Sequence, residues 1–215
     1  VIEATTAVSI EEYLSTAYEP DMDYVDGELV DRYVGEYDHP SVQAAILFWF
    51  DQRAKEWRIR AIQEQRTRLA ASRVRIPDVS VFSRELPLEQ VFTWPQLIAI
   101  EVLSLEDRHS RMDKKIRNHL DFGVGHVWVV DPTTRIGWDC SDGNWVRKER
   151  FEVAGGPIYL SLAELFAGLD EAEKGCKLSL RSSQLALVCS ISMSFLDLLQ
   201  PLSCFSLATA ASGLA

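Results

Sequence analysis

The sequence predicts an α/β (α+β) domain built on one core, and three observations carry that prediction. Strand and helix patterns alternate from residue 21 to about residue 170. The runs 96–103 and 126–130 are apolar enough to be strands covered on both faces. Between them, residues 110–122 place apolar side chains at helical spacing.

Each element has its own signal. Ser9 precedes Ile10-Glu11-Glu12 and can cap a helix, with Glu12 placed to close a capping box. Tyr24-Val25-Asp26-Gly27-Glu28-Leu29-Val30 reads as a hairpin, because Asp-Gly accepts the positive φ angles of a two-residue turn. His39 and Pro40 open a helix in which Val42, Ala45, Ile46, Trp49 and Phe50 form one buried stripe. Strands are expected around 59–62, 67–71 and 76–82. The run 96–103 is a central strand that carries a single acid, Glu101. The next helix sets Met112, Ile116, His119 and Leu120 on one side, and Gly123 stops it. A second buried strand, 126–130, closes on Asp131-Pro132. Hairpin strands around Trp138 and Trp145 and a short helix near 162–166 complete the pattern.

With 215 residues, 47% of them apolar and 25% charged, the chain suits one well-packed core better than two small domains. The composition changes after residue 175. Residues 176–215 are rich in Ser and Leu and carry only Lys177, Arg181 and Asp197 as charges, so the domain is expected at 1–175 with the tail outside it. No apolar run reaches the roughly eighteen residues of a membrane span. The start, Val1 onward, has no basic-then-apolar leader, which predicts a cytoplasmic protein. Cys140, Cys176, Cys189 and Cys204 have neither Cys-x-x-Cys nor ligand-like spacing to His and are expected as free thiols. A net charge of −10 excludes a protein that coats nucleic acid through a global basic field, but it allows a local basic patch.

The chemistry lies in acids placed where structure alone does not want them. Asp78 follows Ile76-Pro77 and opens a strand, and Glu101 sits in the most apolar strand of the chain. An ionised carboxylate in such a strand costs about several kcal/mol unless it is paired, protonated or bound to metal. Two carboxylates at adjacent ends of neighbouring strands can hold a hard cation such as Mg²⁺. Lys115 lies one turn into the following helix, beside Met112 and Ile116, and can point back over the strand end. Desolvated near a metal, its pKa is expected to fall, as suits a catalytic base. Lys114 would serve equally well as a surface cation.

These residues resemble the PD-(D/E)XK nuclease superfamily, and within it the Uma-two family. The resemblance runs over residues 10–170 through Val25-Asp26-Gly27-Glu28-Leu29-Val30, Ile76-Pro77-Asp78-Val79 and Glu101-Val102-Leu103-Ser104. It continues through Asp107-Arg108, Lys115, Gly123-Val124 and Val127-Trp128-Val129-Val130-Asp131-Pro132. It implies a restriction-endonuclease-like mixed sheet flanked by helices, with an extra N-terminal helix and hairpin. It also implies Mg²⁺, with Mn²⁺ as an alternative, held by Asp78, Glu101 and the Val102 carbonyl. Leu103 stands where the superfamily has its lysine, so that role passes to Lys115. Glu28 matches an acidic hairpin residue and is a candidate third acid, and His39 matches a helix-start histidine. The chain departs from the family at Leu105, where a proline is usual, and at His119, where an aromatic is usual.

The implied function is metal-assisted endonucleolytic hydrolysis of a phosphodiester in nucleic acid, DNA before RNA, by a homodimer with no membrane partner. The basic runs 53–75 and 108–117 flank the site in sequence, so His39, Arg73, Arg75, Arg108 and Arg111 are candidate phosphate contacts. Two other functions fit the same residues: a silent nuclease fold used as a nucleic-acid or protein binding module, and a hydrolase of other phosphoesters.

Overall fold

The computed structural model describes residues 7–32, 37–104, 109–172 and 174, and the part up to Asp170 forms one compact unit. The tail 176–215 and three of the four cysteines lie outside the described residues; Cys140 is a free, buried thiol.

The N-terminal part begins as its sequence dictates. Ser9 caps α1 (Ile10–Ser15), its hydroxyl accepting the Glu12 N–H at 3.1 Å. β1 (Met22–Val25) and β2 (Glu28–Asp31) pair antiparallel across Asp26 and Gly27. Those two residues have φ of 51° and 94°, the pair of positive angles that matches the right-handed strand twist. The hairpin does not stand alone. β1 also pairs with β5 (Arg73–Arg75), and β5 with β4 (Thr67–Ala70), giving a separate antiparallel sheet in the order β2-β1-β5-β4. Tyr13 stacks on Tyr24 at 5.1 Å between centroids and, with Val74, fills the small core under this sheet.

The main layer is a six-stranded mixed sheet. Its members are β3 (Ile59–Gln63), β6 (Val79–Ser83), β7 (Ile98–Val102), β8 (His126–Asp131), β9 (Ile136–Asp139) and β10 (Val146–Lys148). They lie in the order β10-β9-β8-β7-β6-β3. Only β7 and β8 pair parallel, because the chain crosses over between them through α3 (His109–Phe122). At the end of α3, Gly123 takes φ of 96°. Its N–H reaches the Leu120 carbonyl at 2.9 Å and the Val124 N–H reaches that of His119 at 3.1 Å, closing the helix as expected.

Helices cover both faces. Ile98, Ile100 and Val102 of β7 turn towards the core shared with α2 (Asp38–Asp51), whereas Ala99 turns towards Met112 and Ile116 of α3. Each buried Val or Ile contributes about 1.5–3 kcal/mol, so the register of β7 is strongly fixed. Strand alternation then puts Glu101 on the α3 face. A hairpin of β11 (Arg150–Glu152) and β12 (Tyr159–Ser161) and a helix over 162–172 complete the described chain. Among the described residues no helix is long and apolar enough to cross a membrane.

Candidate active site

β6 and β7 pair with Val79 opposite Ile100 and Ser80 opposite Ala99. One step further along that register, Asp78 stands opposite Glu101. Directly opposed residues of an antiparallel pair have Cβ atoms about 4.5–5.5 Å apart, so two carboxylates share one buried corner of the sheet. Asp78 is 5% exposed and Glu101 1%. Left alone, the pair would repel strongly, and the surrounding side chains compensate.

Around Asp78, Arg32 donates from Nη2 to Oδ1 at 3.1 Å, and the Val102 N–H donates to Oδ2 at 2.7 Å. His39 Nε2 lies 3.4 Å from Oδ2. Gln43 on α2 fixes the backbone by donating to the Asp78 carbonyl at 2.9 Å. Burial alone would raise the Asp78 pKa. The His39 hydrogen bond and the charges of Lys115, His39 and Arg32 outweigh it and hold the carboxyl below the ordinary aspartate value. Arg32 is pulled down by desolvation but held above its usual value by Asp78, Asp23, Glu64 and Glu101.

Around Glu101, α3 presents two side chains one turn apart. Lys115 Nζ donates to Oε2 at 2.8 Å, and His119 Nε2 lies 3.2 Å from Oε1. Lys115 is buried while Lys114 is exposed, which decides between these neighbours. Beside the carboxylates alone, the Lys115 pKa moves upward. Desolvation pulls it down, but Glu101, Asp23 and Asp78 more than offset this and push it up to about 12. Lys115 is thus the counter-charge of Glu101.

The structure thus brings together Asp78, Glu101, Val102, Lys115 and His39. It does not bring Glu28 to them. Glu28 is exposed beside the hairpin turn, opposite Val25. It is four residues from Arg32, about 13 Å along a strand. Arg73 binds Asp26 at 2.8 Å on the same hairpin. Arg75 is not a free phosphate contact: it is 5% exposed and spends its guanidinium on Asp23 at 2.8 Å and on Asn118 at 3.0 and 2.8 Å. Arg111 lies partly exposed on α3, and Arg108 is outside the described residues.

Sequence reasoning missed Asp23, Arg32, Gln43, Asn118 and His119. Asp23 is the largest omission. It is fully buried, accepts the Ile76 N–H at 2.9 Å, and its field acts on both Lys115 and Arg32. A signal existed: strand alternation puts Asp23 on the same side as Val25 and opposite Val30, an apolar setting for an acid.

Asp78 and Glu101 offer oxygen donors only, a set that suits a hard divalent cation retaining several waters. The Val102 N–H points to Asp78 while that of Leu103 points to Val130. The Val102 carbonyl, on the same edge as its N–H, therefore also faces the Asp78 side. Among the described residues no cluster of three or more His, Cys, Asp or Glu could hold a metal. A cation here would rest on two carboxylates and backbone.

A mixed sheet flanked by helices, with paired acids at the ends of two neighbouring central strands, defines a restriction-endonuclease-like α+β protein. The Uma2 family model, described as "Putative restriction endonuclease", matches residues 10–166, and the chain belongs to that family. The chain is also similar to a solved structure described as a putative nuclease belonging to DUF820 from Anabaena variabilis ATCC 29413. That similarity has 21% identity and a TM-score of 0.63, over 75% of this chain and 99% of the other. A weaker likeness, with 18% identity and a TM-score of 0.37, covers 61% of this chain and 11% of a chain in a DrdV–DNA complex. No curated protein matches.

Proposed function

We propose that the protein is a metal-dependent endonuclease that hydrolyses phosphodiester bonds of nucleic acid, DNA in preference to RNA, as a cytoplasmic homodimer. The single observation behind this proposal is the side-by-side burial of Asp78 and Glu101, with Lys115 on Glu101 at 2.8 Å. Family membership supports it. Asp78, Glu101 and the Val102 carbonyl would hold Mg²⁺ or Mn²⁺. When bound, the ion would polarise a phosphate and acidify a water.

The chain's own residues have separable tasks. Arg32 and the Val102 N–H fix the two oxygens of Asp78. Lys115 holds Glu101 and keeps a proton at Nζ, available to the phosphate or the leaving oxygen. His39 and Arg111 are the remaining candidates for phosphate contact among the described residues. Glu28 is reserved for a role away from the two acids, if it has one.

Titrating Mn²⁺ and Mg²⁺ by calorimetry, alongside nicking of supercoiled plasmid DNA, tests the proposal. Binding and nicking are expected in the wild type; in Asp78→Ala and Glu101→Gln nicking is expected to vanish and binding to weaken strongly. Nicking that survives in either variant sinks it. A second reading, a nuclease fold acting as a binding module, is favoured by the charge balance of the site. Asp23, Asp78 and Glu101 are already matched by Arg75, Arg32 and Lys115. Salt-sensitive DNA binding without metal uptake or turnover selects it.

A further inference from the structure

Glu101 is held by two side chains, and only Lys115 has been given a task so far. His119 is 0% exposed, with Nε2 at 3.2 Å from Glu101 Oε1, and it lies one turn beyond Lys115 on α3. Its other ring nitrogen, Nδ1, is buried and has no hydrogen-bond partner among the described residues. A buried imidazole with one nitrogen on a carboxylate must place its proton there, because a carboxylate only accepts. Placing the proton on Nδ1 instead would leave a buried donor unmatched and set a lone pair against Glu101.

We propose that His119 is a positioning residue of the site. It carries its proton on Nε2 and donates it to Glu101 Oε1, while Lys115 donates to Oε2. The carboxylate is thereby fixed in one plane with a lone pair on each oxygen still free for a cation. The effect on the metal rests on the endonuclease reading; the hydrogen bond itself does not.

Two measurements test the proposal and keep those parts distinct. Long-range ¹H–¹⁵N correlation spectra of the four histidines report the tautomer of His119, assigned with His119→Gln. Protonated Nε2 and unprotonated Nδ1 are expected; a proton on Nδ1 overturns the proposal. Calorimetric Mn²⁺ titration is then run on wild type, His119→Gln and His119→Phe. Glutamine keeps a donor at the ε position and should bind Mn²⁺ within about threefold of wild type. Phenylalanine keeps the volume but not the donor, and should lose roughly 10–100-fold, as is usual when a group supporting a metal ligand is removed. Equal affinity in all three overturns the positioning role. Wild type that takes up no Mn²⁺ sinks the endonuclease reading instead, and the tautomer alone then decides the clamp. If His119→Phe does not fold, the tautomer and the glutamine variant still decide it.

Discussion

Two buried ion pairs of the same length, 2.8 Å, sit close to each other and do different work. Arg75 joins Asp23 on β1 to Asn118 on α3, and three of its nitrogens are engaged. The planar fork suits such a bridge, and each of its three nitrogens has a partner. Lys115 is a compact point charge with three protons, and among the described residues it has one hydrogen-bond acceptor, Glu101. Its side chain is 11% exposed, against 6% for Arg75. The first pair is closed and ties the small sheet to the helix. The second joins α3 to β7 through one carboxylate. Burial and distance alike fail to separate the two pairs; the partner set does, since Arg75 spans two elements while Lys115 bonds one carboxylate.

The comparison is most easily broken at Asp23. Asp23→Ala leaves the Arg75 guanidinium buried without its anion, and breaking such a pair costs about 3–5 kcal/mol. Urea unfolding should register that loss. If stability changes by less than about 1 kcal/mol while Mn²⁺ binding disappears, Asp23 belongs to the site and the closed pair is not scaffold.

A smaller effect is expected on the side of the second pair. Asp78→Asn and Glu101→Gln should each weaken Mn²⁺ binding by about 100-fold, or about 2.7 kcal/mol, with little change in fold because the amides still fill the corner. Unaltered affinity in either variant would remove that acid from the proposed metal set.

The Lys115 pair also has a pH signature with a definite sign. Its pKa rises from about 10.4 for an unfolded lysine to about 12 in the fold. The stabilisation is therefore complete below pH about 10.4 and lost as pH rises through about 12. The shift is worth about 2 kcal/mol, so the stability gap between wild type and Lys115→Met should shrink over that window. A gap constant to pH 12 would mean that the ammonium contributes nothing. At the acid end the sign reverses. Asp78, held below the usual aspartate value, stabilises above the unfolded aspartate pKa and stops doing so as pH falls through its own. Asp78→Asn should accordingly flatten the acid limb of the stability curve.

How much of this was legible in the sequence depends on what each residue had to be read against. Glu101 stood out because one acid in an apolar strand has no cheap alternative. Lys115 lies buried against Glu101 while Lys114 is exposed, a difference that neither helical spacing nor charge could reveal. The strands of five or more residues and the two 14-residue helices were readable. β5, β11 and β12 were not, because each has three residues and too little alternation to register. That gap had a cost. Without β5 there is no second partner for β1, no reason to see the hairpin as part of a larger sheet, and no Arg75 beside Asp23. The upward pull of the carboxylates on the Lys115 pKa was not legible, for a related reason. Desolvation can be inferred from a stripe on a helix, whereas three carboxylates converging from separate strands cannot.

The smallest expected effect is at Glu28, and it sharpens the comparison through the same hairpin. Glu28 and Asp23 are both acids, on paired strands, and the family resemblance favours Glu28. In the fold Glu28 is exposed at the turn while Asp23 is 0% exposed and doubly bonded. An exposed strand residue without a special backbone role usually changes stability by less than about 0.5 kcal/mol when replaced. Glu28→Gln should therefore match wild type in urea unfolding and bind Mn²⁺ within about twofold, since a tenfold loss would already require about 1.4 kcal/mol. A tenfold loss would mean that the hairpin moves its turn towards Asp78 when a cation binds. The closed Asp23–Arg75 pair would then have to open, because β1 cannot shift while Arg75 ties it to α3.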